Sequence, residues 1–328
     1  MAVDDVLAML KLLTERSASG DAVLHRRRCA VFARLAAGLR ERTLFPHYLA
    51  AVKLPDRLLR ATVGPLLPQV AAVADHPPLC ELLRSRDEEL RALAARILKQ
   101  VGGKTALGLI SSMVAERDFP GRREALDLIV PMAGHHSIPA LAATLAVGRS
   151  AEKRLALRYL SDRRYVGASL VAALDAITQG FGDTSEAVVV EAVAAYALLC
   201  TEDQYFETLA RFLDDQSPNI VAAALAGLQR FESPRVVEAL ERKLQEGPTS
   251  VRLAALAAME AIGSDAVVPG LVEALGHRTL NVRTRAAEVL SVLSQGQRID
   301  ISRTIVYLLR TGDVDLRRTA ADLARSIT

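Results

Sequence analysis

The sequence predicts an all-α protein, a solenoid of about ten stacked helical hairpins. Three observations predict it. An apolar residue followed by Arg recurs about every 31 residues, small and apolar side chains follow each copy at helical spacing, and Gly recurs where each helix should stop. Composition agrees, since 51% of the 328 residues are hydrophobic while aromatics are 4% and Trp is absent. Ala, Leu, Val and Ile must therefore form the core, and Ala lets helices approach closely.

Residues 2–16 are expected to form an amphipathic helix with Val3, Val6, Leu7, Leu10 and Leu13 on its apolar side. It reads as a cap on the first hairpin; Asp4 and Asp5 would repel an anionic lipid surface. The same acids, with no basic n-region or cleavage site, argue against a signal peptide. A weak copy of the repeat lies near Arg28 in "LHRRRCAVFARL". The sequence is accordingly read as a single domain over 1–328, with degenerate capping repeats in 1–55 and regular repeats of about 31 residues in 56–328.

The anchors are Leu59, Leu90, Arg122, Lys153, Val188, Ile220, Val251, Val282 and Leu316. Their separations are 31, 32, 31, 35, 32, 31, 31 and 34 residues. Positions four, eight and eleven past an anchor, such as Ala255, Met259 and Ile262, fall on one helical stripe. Gly102, Gly134 and Gly263 follow one residue later, where a left-handed turn ends a helix. A second helix comes next, as in 233–245 and 264–276, with Ser233 and Ser264 as N-caps and Pro234 in the first turn. Each hairpin has an apolar side too large to leave in water, and stacking buries it.

The unit "SDAVVPGLVEALGHRTLNVRTRAAEVLSVL" resembles a HEAT repeat of the short, bacterial PBS-lyase type, most clearly in 217–328 and 80–102. The resemblance implies a right-handed α-solenoid of HEAT-like hairpins. It also implies that the repeated arginines form a structural ladder with acidic side chains. The matching positions are Arg60, Arg91, Arg123, Arg154, Arg252, Arg283 and Arg317, with Asp87 and Asp313 as acidic partners. Val189 and Val221 replace the Arg in two adjacent units, so the ladder should break there. Extra residues in 178–186 and 294–302 are either binding edges or neutral loop drift.

No catalytic pattern emerges. The sequence lacks GxxxxGK[ST], GxSxG and a GxGxxG after a strand, and "VGGKTALG" reads as a helix stop. His135 and His136 are adjacent in a turn with no third ligand nearby, so a polar turn is expected and no metal site. The absence of any His-Glu dipeptide argues against HEAT-type deoxyhypusine hydroxylase, which uses such pairs for iron. Bilin lyases and HEAT-like DNA glycosylases share related solenoids, and an accessory enzyme or nucleic-acid-acting protein of that kind is the alternative reading. Zero Trp and near-neutral repeats weigh against base stacking along a groove.

The expectation is a non-catalytic scaffold or adaptor, without cofactor, that binds a protein partner through its concave face or inserted loops. Arg163, Arg164 and Tyr165 replace the usual turn in "LSDRRYVGASL" and are the first candidate contact residues, with Phe181 the next. The bland alternative has Tyr165 packing under its own hairpin. Net charge is +3, and residues 1–60 carry eleven Lys/Arg against six Asp/Glu, a solvated face more readily than a nucleic-acid site. Cys29, Cys80 and Cys200 show no pairing pattern and read as reduced, buried thiols of a cytoplasmic protein. No uninterrupted apolar stretch has the length of a membrane span. The helix opening at Leu316 is expected to cap the stack through Arg317, Arg318, Asp322 and Arg325, unless a partner or second copy covers that end.

Overall fold

The computed structural model describes residues 3–15, 22–295, 301–312 and 314–327. Every regular element among them is helical. The protein gathers into two compact units, Met1–Ser169 and Leu170–Thr328.

The first unit contains α1 (Val3–Glu15), α2 (Ala22–Ala36), α3 (Phe45–Lys53), α4 (Arg57–Val63), α5 (Leu67–Val70) and α6 (His76–Leu82). It continues with α7 (Glu88–Val101), α8 (Lys104–Val114), α9 (Arg122–Ala133), α10 (Ile138–Val147), α11 (Ser150–Ser161) and the single turn α12 (Arg163–Val166). α1 buries Val6, Leu10 and Leu13 and packs on α2 and α3. Tight hairpins form between α6 and α7, α8 and α9, and α10 and α11. Alternate helices then stack, α6 on α8 on α10 and α7 on α9 on α11. The closest pairing thus runs across the polar turn that precedes each anchor.

The second unit repeats this plan. It contains α13 (Leu170–Thr178), α14 (Glu186–Leu199), α15 (Glu202–Thr208), α16 (Pro218–Leu228) and α17 (Pro234–Glu246). Then come α18 (Thr249–Ile262), α19 (Val268–Leu275), α20 (Leu280–Gln295), α21 (Ser302–Thr311) and α22 (Val314–Ile327). α14, α16, α18, α20 and α22 stack in series, and α17 packs on α19. Ser233 caps α17 through the Val236 amide with Pro234 in the first turn, as the sequence predicts. Ser264 makes no side-chain cap, because a 3-10 turn over Asp265–Val267 leads into α19.

In each unit one recurring buried position fixes the repeat register. Val63, Ala94, Ala125, Ala156, Ala192, Ala224, Ala255, Ala286 and Ala320 are all 0% exposed. They lie four residues past Leu59, Leu90, Gly121, Glu152, Val188, Ile220, Val251, Val282 and Leu316. The third and fourth anchors are therefore Gly121 and Glu152, one residue earlier than Arg122 and Lys153. Gly121 is buried where the two preceding copies carry Leu59 and Leu90, and a Cβ there would lie 2.2 Å from the Leu83 carbonyl oxygen. Backbone crowding forces glycine at this apolar position and hides it from a sequence pattern. Gly102, Gly134 and Gly263 do end their helices, with φ of +43°, +54° and +63°.

Residues 122–147 are together long and apolar enough to cross a membrane by length and composition, with half of that stretch buried in the packed helices. Gly134 and a 3-10 turn over Gly134–Ser137 divide it into α9 and α10, of 12 and 10 residues. Each piece alone is shorter than the ~20 residues a span needs.

The small-residue row makes helix separation the sensitive variable. Ala255→Leu is expected to destabilise the protein by ~1–3 kcal/mol through overpacking. Ala257→Leu, on the exposed side of the same helix, should stay within about 0.5 kcal/mol. Denaturant unfolding of the two variants compares them directly.

Cys29, Cys80 and Cys200 are all buried and none is in a disulfide. Burial pushes the Cys80 and Cys200 thiols from an ordinary 9.0 up to about 11. The unfolded state therefore loses these protons first, and stability should fall as pH rises from about 9 to about 11. Unfolding midpoints across that range, with Cys80→Ala/Cys200→Ala giving a shallower fall, test the assignment.

Candidate partner-binding surface

The last carbonyls of a helix have no partner within it. Here the arginine of the following helix donates to such a carbonyl or to those of the turn in between. Arg60 Nε donates to Val52 O at 3.1 Å and Nη2 to Leu54 O at 3.3 Å. Arg91 donates to Ser85 O and Arg86 O, both at 3.1 Å. Arg252 reaches Gln245 O at 2.6 Å, Arg283 reaches His277 O at 2.9 Å, and Arg317 reaches Gly312 O at 2.8 Å.

The third ladder residue is Arg122, not Arg123. Its guanidinium donates to the carbonyls of Val114, Glu116 and Arg117 and pairs with Glu152 at 2.5 Å. Arg122 is 1% exposed, whereas Arg123 is exposed. By the same register Lys153 takes the fourth position, and Arg154 lies one residue beyond it. Arg123, Glu152, Arg154 and Arg158 instead line a surface cleft of about 250 Å³.

Acids from the next copy complete the ladder in the first unit. Arg60 pairs with Asp87 at 2.7 Å and Glu89 at 2.9 Å, and Arg91 with Glu124 at 2.8 Å. Asp87 also accepts from the Glu89 amide and so caps α7. In the weak first copy His25 reaches Asp56, the cap of α4, at 2.8 Å. Asp313, the other predicted acid, lies outside the described residues.

The second unit departs from this. Val189 and Val221 are buried where arginine would stand. Beside Val221, Lys243 from α17 enters the cleft and its ammonium donates to Asp214 at 2.5 Å. The ladder is interrupted there, yet a cation arrives from another helix. Arg252 and Arg283 have no carboxylate within ion-pair reach among the described residues, and Arg252 faces His277 instead.

The sequence-predicted contact residues fall in different units. Tyr165 packs edge-on against Tyr159, ring centres 5.8 Å apart, and the Tyr159 hydroxyl donates to Asp127 at 2.6 Å. Arg164 lies over the Tyr165 ring at 5.6 Å and clasps Asp162 through Nε and Nη2. That clasp holds the Asp162 carboxyl below the usual carboxylate range. Arg164 is nevertheless 80% exposed, and Arg163 is exposed beside it. Tyr165 does pack under its own hairpin, but it is only half-buried there. Burial and Asp127 both push the Tyr159 hydroxyl upward, so it stays a donor.

Phe181, in the second unit, is half-buried against Tyr196 and Phe212, with Arg211 over its ring at 5.8 Å. It anchors the added segment. His135 and His136 are exposed in the turn before α10, their rings 4.0 Å apart. Among the described residues no three His, Cys, Asp or Glu side chains gather as a metal site.

Sequence reasoning missed a second feature of the first unit. Arg84, Arg86, Arg91 and Arg149, with Asp118 and Pro120, line a cleft of about 720 Å³. Glu116 neutralises Arg84 and Glu124 neutralises Arg91, while Arg86 and Arg149 meet no carboxylate among the described residues. These residues sit in consecutive inter-helix turns, so their spacing of roughly one or two repeats was the available signal.

Residues 174–259 match the family model for HEAT repeats. The matched stretch includes the two copies with Val in place of Arg and one that keeps it, at Arg252. No curated protein sequence matches this one. Among solved structures, the karyopherin Kap121p bound to the SUMO protease Ulp1p is similar at 13% identity and TM-score 0.59, covering 100% of this protein and 42% of that one. Kap95p, whose binding induces the switch loops of RanGDP to adopt the GTP-bound conformation, is similar at 11% identity and TM-score 0.60, covering 100% and 51%. Kap121p bound to Pho4p gives 15%, 0.58, 100% and 42%. The protein spans about half, or less, of these karyopherins, and the likeness shows a shared all-α solenoid fold.

The register is testable at adjacent residues. Arg122→Ala is expected to cost ~1–3 kcal/mol, because it takes the donor from the buried Val114 carbonyl while Glu152 keeps the Arg149 amide. Arg123→Ala should change stability by about 0.5 kcal/mol or less. Denaturant unfolding of both, under one set of conditions, separates them.

Proposed function

We propose that this protein is a non-catalytic scaffold or adaptor that binds a protein partner through the surface built on Arg163, Arg164 and Tyr165. One observation carries the reading: Asp127, Tyr159, Tyr165, Arg164 and Asp162 hold one another in a fixed stack whose Arg and Tyr edges still face solvent. Preordered Arg and Tyr bind at low entropic cost, which is why they dominate interface energetics. Arg86 and Arg149, whose side chains meet no carboxylate among the described residues, line another cleft of the same unit, at the other end of α11, and would draw acidic side chains toward it. The similar karyopherins hold protein partners, which supports the reading by fold analogy only.

Within this proposal the repeats are of the short bacterial PBS-lyase type and the protein works in the cytoplasm. Three buried thiols outside any disulfide support a reducing compartment. Phe181 is assigned a secondary role, as the anchor that shapes the 178–186 edge for contact. Self-association through the end near α22 is an additional outcome to watch.

The test is affinity capture from native lysate with the wild type and with Arg163→Glu/Tyr165→Ala. A stoichiometric protein partner, captured by the wild type and lost in the variant, is expected. A partner kept by the variant would overturn the choice of surface. Recovery of only nucleic acid or a chromophore would overturn the scaffold reading.

A further inference from the structure

Ladder arginines find their carbonyls at fixed steps along the sequence, eight, six or five residues back. Arg60 uses Val52 and Leu54, and Arg91 uses Ser85 and Arg86. Arg122 uses Val114, Glu116 and Arg117, and Arg283 uses His277 and Arg278. Arg317 takes the nearest step alone, and Arg252 takes a carbonyl seven residues back. Val221 stands at the ladder position of its own copy, one residue past Ile220. The same steps back from Val221 reach Leu213, Asp215 and Gln216. All three line a surface cleft of about 290 Å³ together with Val221 itself.

A valine is too short, and too apolar, to serve those oxygens. Among the described residues none of the three carbonyls accepts a hydrogen bond. Lys243 does not replace the guanidinium, because its ammonium donates to the Asp214 side chain at 2.5 Å and to no backbone oxygen of this turn. Charge in the cleft is uneven as well, with Lys243 set against Asp214, Asp215 and Glu246. Asp214 is matched by Lys243 and approached by Arg242 at 3.5 Å. Asp215 keeps one oxygen on the Ser217 amide at 2.8 Å, and neither it nor Glu246 meets a cation within ion-pair reach among the described residues. Arg60, Arg91 and Arg122 each join carbonyls of a turn to a carboxylate. Here the carbonyls and the carboxylates are present and the guanidinium is not.

We infer that this cleft binds an arginine side chain of a protein partner, its guanidinium donating to the carbonyls of Leu213, Asp215 and Gln216 and its charge facing Asp215 and Glu246. A planar fork reaches two or three acceptors around one point, as Arg60, Arg91 and Arg122 do, whereas an ammonium is a compact point charge. Lys243, with its single acceptor in the same cleft, shows the difference. Val221 and Val251, both buried, and Pro248 give the aliphatic stem of the incoming side chain an apolar wall. The acids repel the phosphates of a nucleic acid. The site lies wholly in the second unit and stands or falls apart from the surface built on Arg163, Arg164 and Tyr165.

The test follows the Ser217 amide of the full-length protein by NMR while N-acetylarginine methylamide or N-acetyllysine methylamide is added. The arginine probe should shift it with half-saturation on the order of 1 mM, and the lysine probe should need about tenfold more. Val221→Arg supplies the ladder guanidinium from within the chain, and in that variant the amide should not respond at concentrations that saturate the wild type. Asp215→Asn/Glu246→Gln keeps an acceptor for the Ser217 amide while removing both charges, and should raise the half-saturation about fivefold. No shift with the arginine probe, an equal response to the two probes, or an unchanged half-saturation in either folded variant would each overturn the inference.

Discussion

Folding helices back into hairpins leaves carbonyls at the helix ends and in the turns without helical partners, and this constraint organises the ladder. The first helix of each hairpin ends where the second must begin, so water is partly shut out from the turn between them. A backbone acceptor stranded there costs ~1–3 kcal/mol. Arginine answers it, because its planar fork reaches two or three carbonyls and still presents a face to the next copy. Arg122 does all of this while itself buried. The row of buried alanines serves the same end, since close helix approach brings the guanidinium within reach.

The two units satisfy the constraint differently. In the first, each guanidinium also holds a carboxylate, and Asp87 closes the circuit by capping its own helix. Arginine, carbonyl and cap then lock three consecutive segments together. In the second, Val189 and Val221 remove the cation, Lys243 brings one from α17, and Arg252 bonds His277 in place of any carboxylate among the described residues. Packing through the alanine row persists through all of these changes. Polar register and apolar register are thus separable.

Surfaces follow from the same arithmetic. Where ladder charges are matched, they are structural and offer little to a partner. Where an inter-helix turn adds arginines beyond those that the carbonyls consume, as at Arg86 and Arg149, charge remains for binding. The Tyr159–Tyr165 stack shows another route, in which a side chain packs beneath its own hairpin and remains available at its edge. Packing and partner contact are not alternatives for such a ring, since fixing it lowers the entropy lost on binding.

Local patterning determined the helices, the repeat length, the glycine stops and the arginine of most copies, because those depend on residues within one turn or one repeat. It misplaced Gly121 and Glu152, since the rule that an anchor is apolar fails where the Leu83 backbone leaves no room for a side chain. It named Arg163, Arg164, Tyr165 and Phe181, yet not Tyr159 and Asp127, the pair against which Tyr165 is held. Nor could it show that Arg252 faces an imidazole. Which cation meets which acid depends on distances between residues about 30 positions apart, and only the packed stack sets those distances.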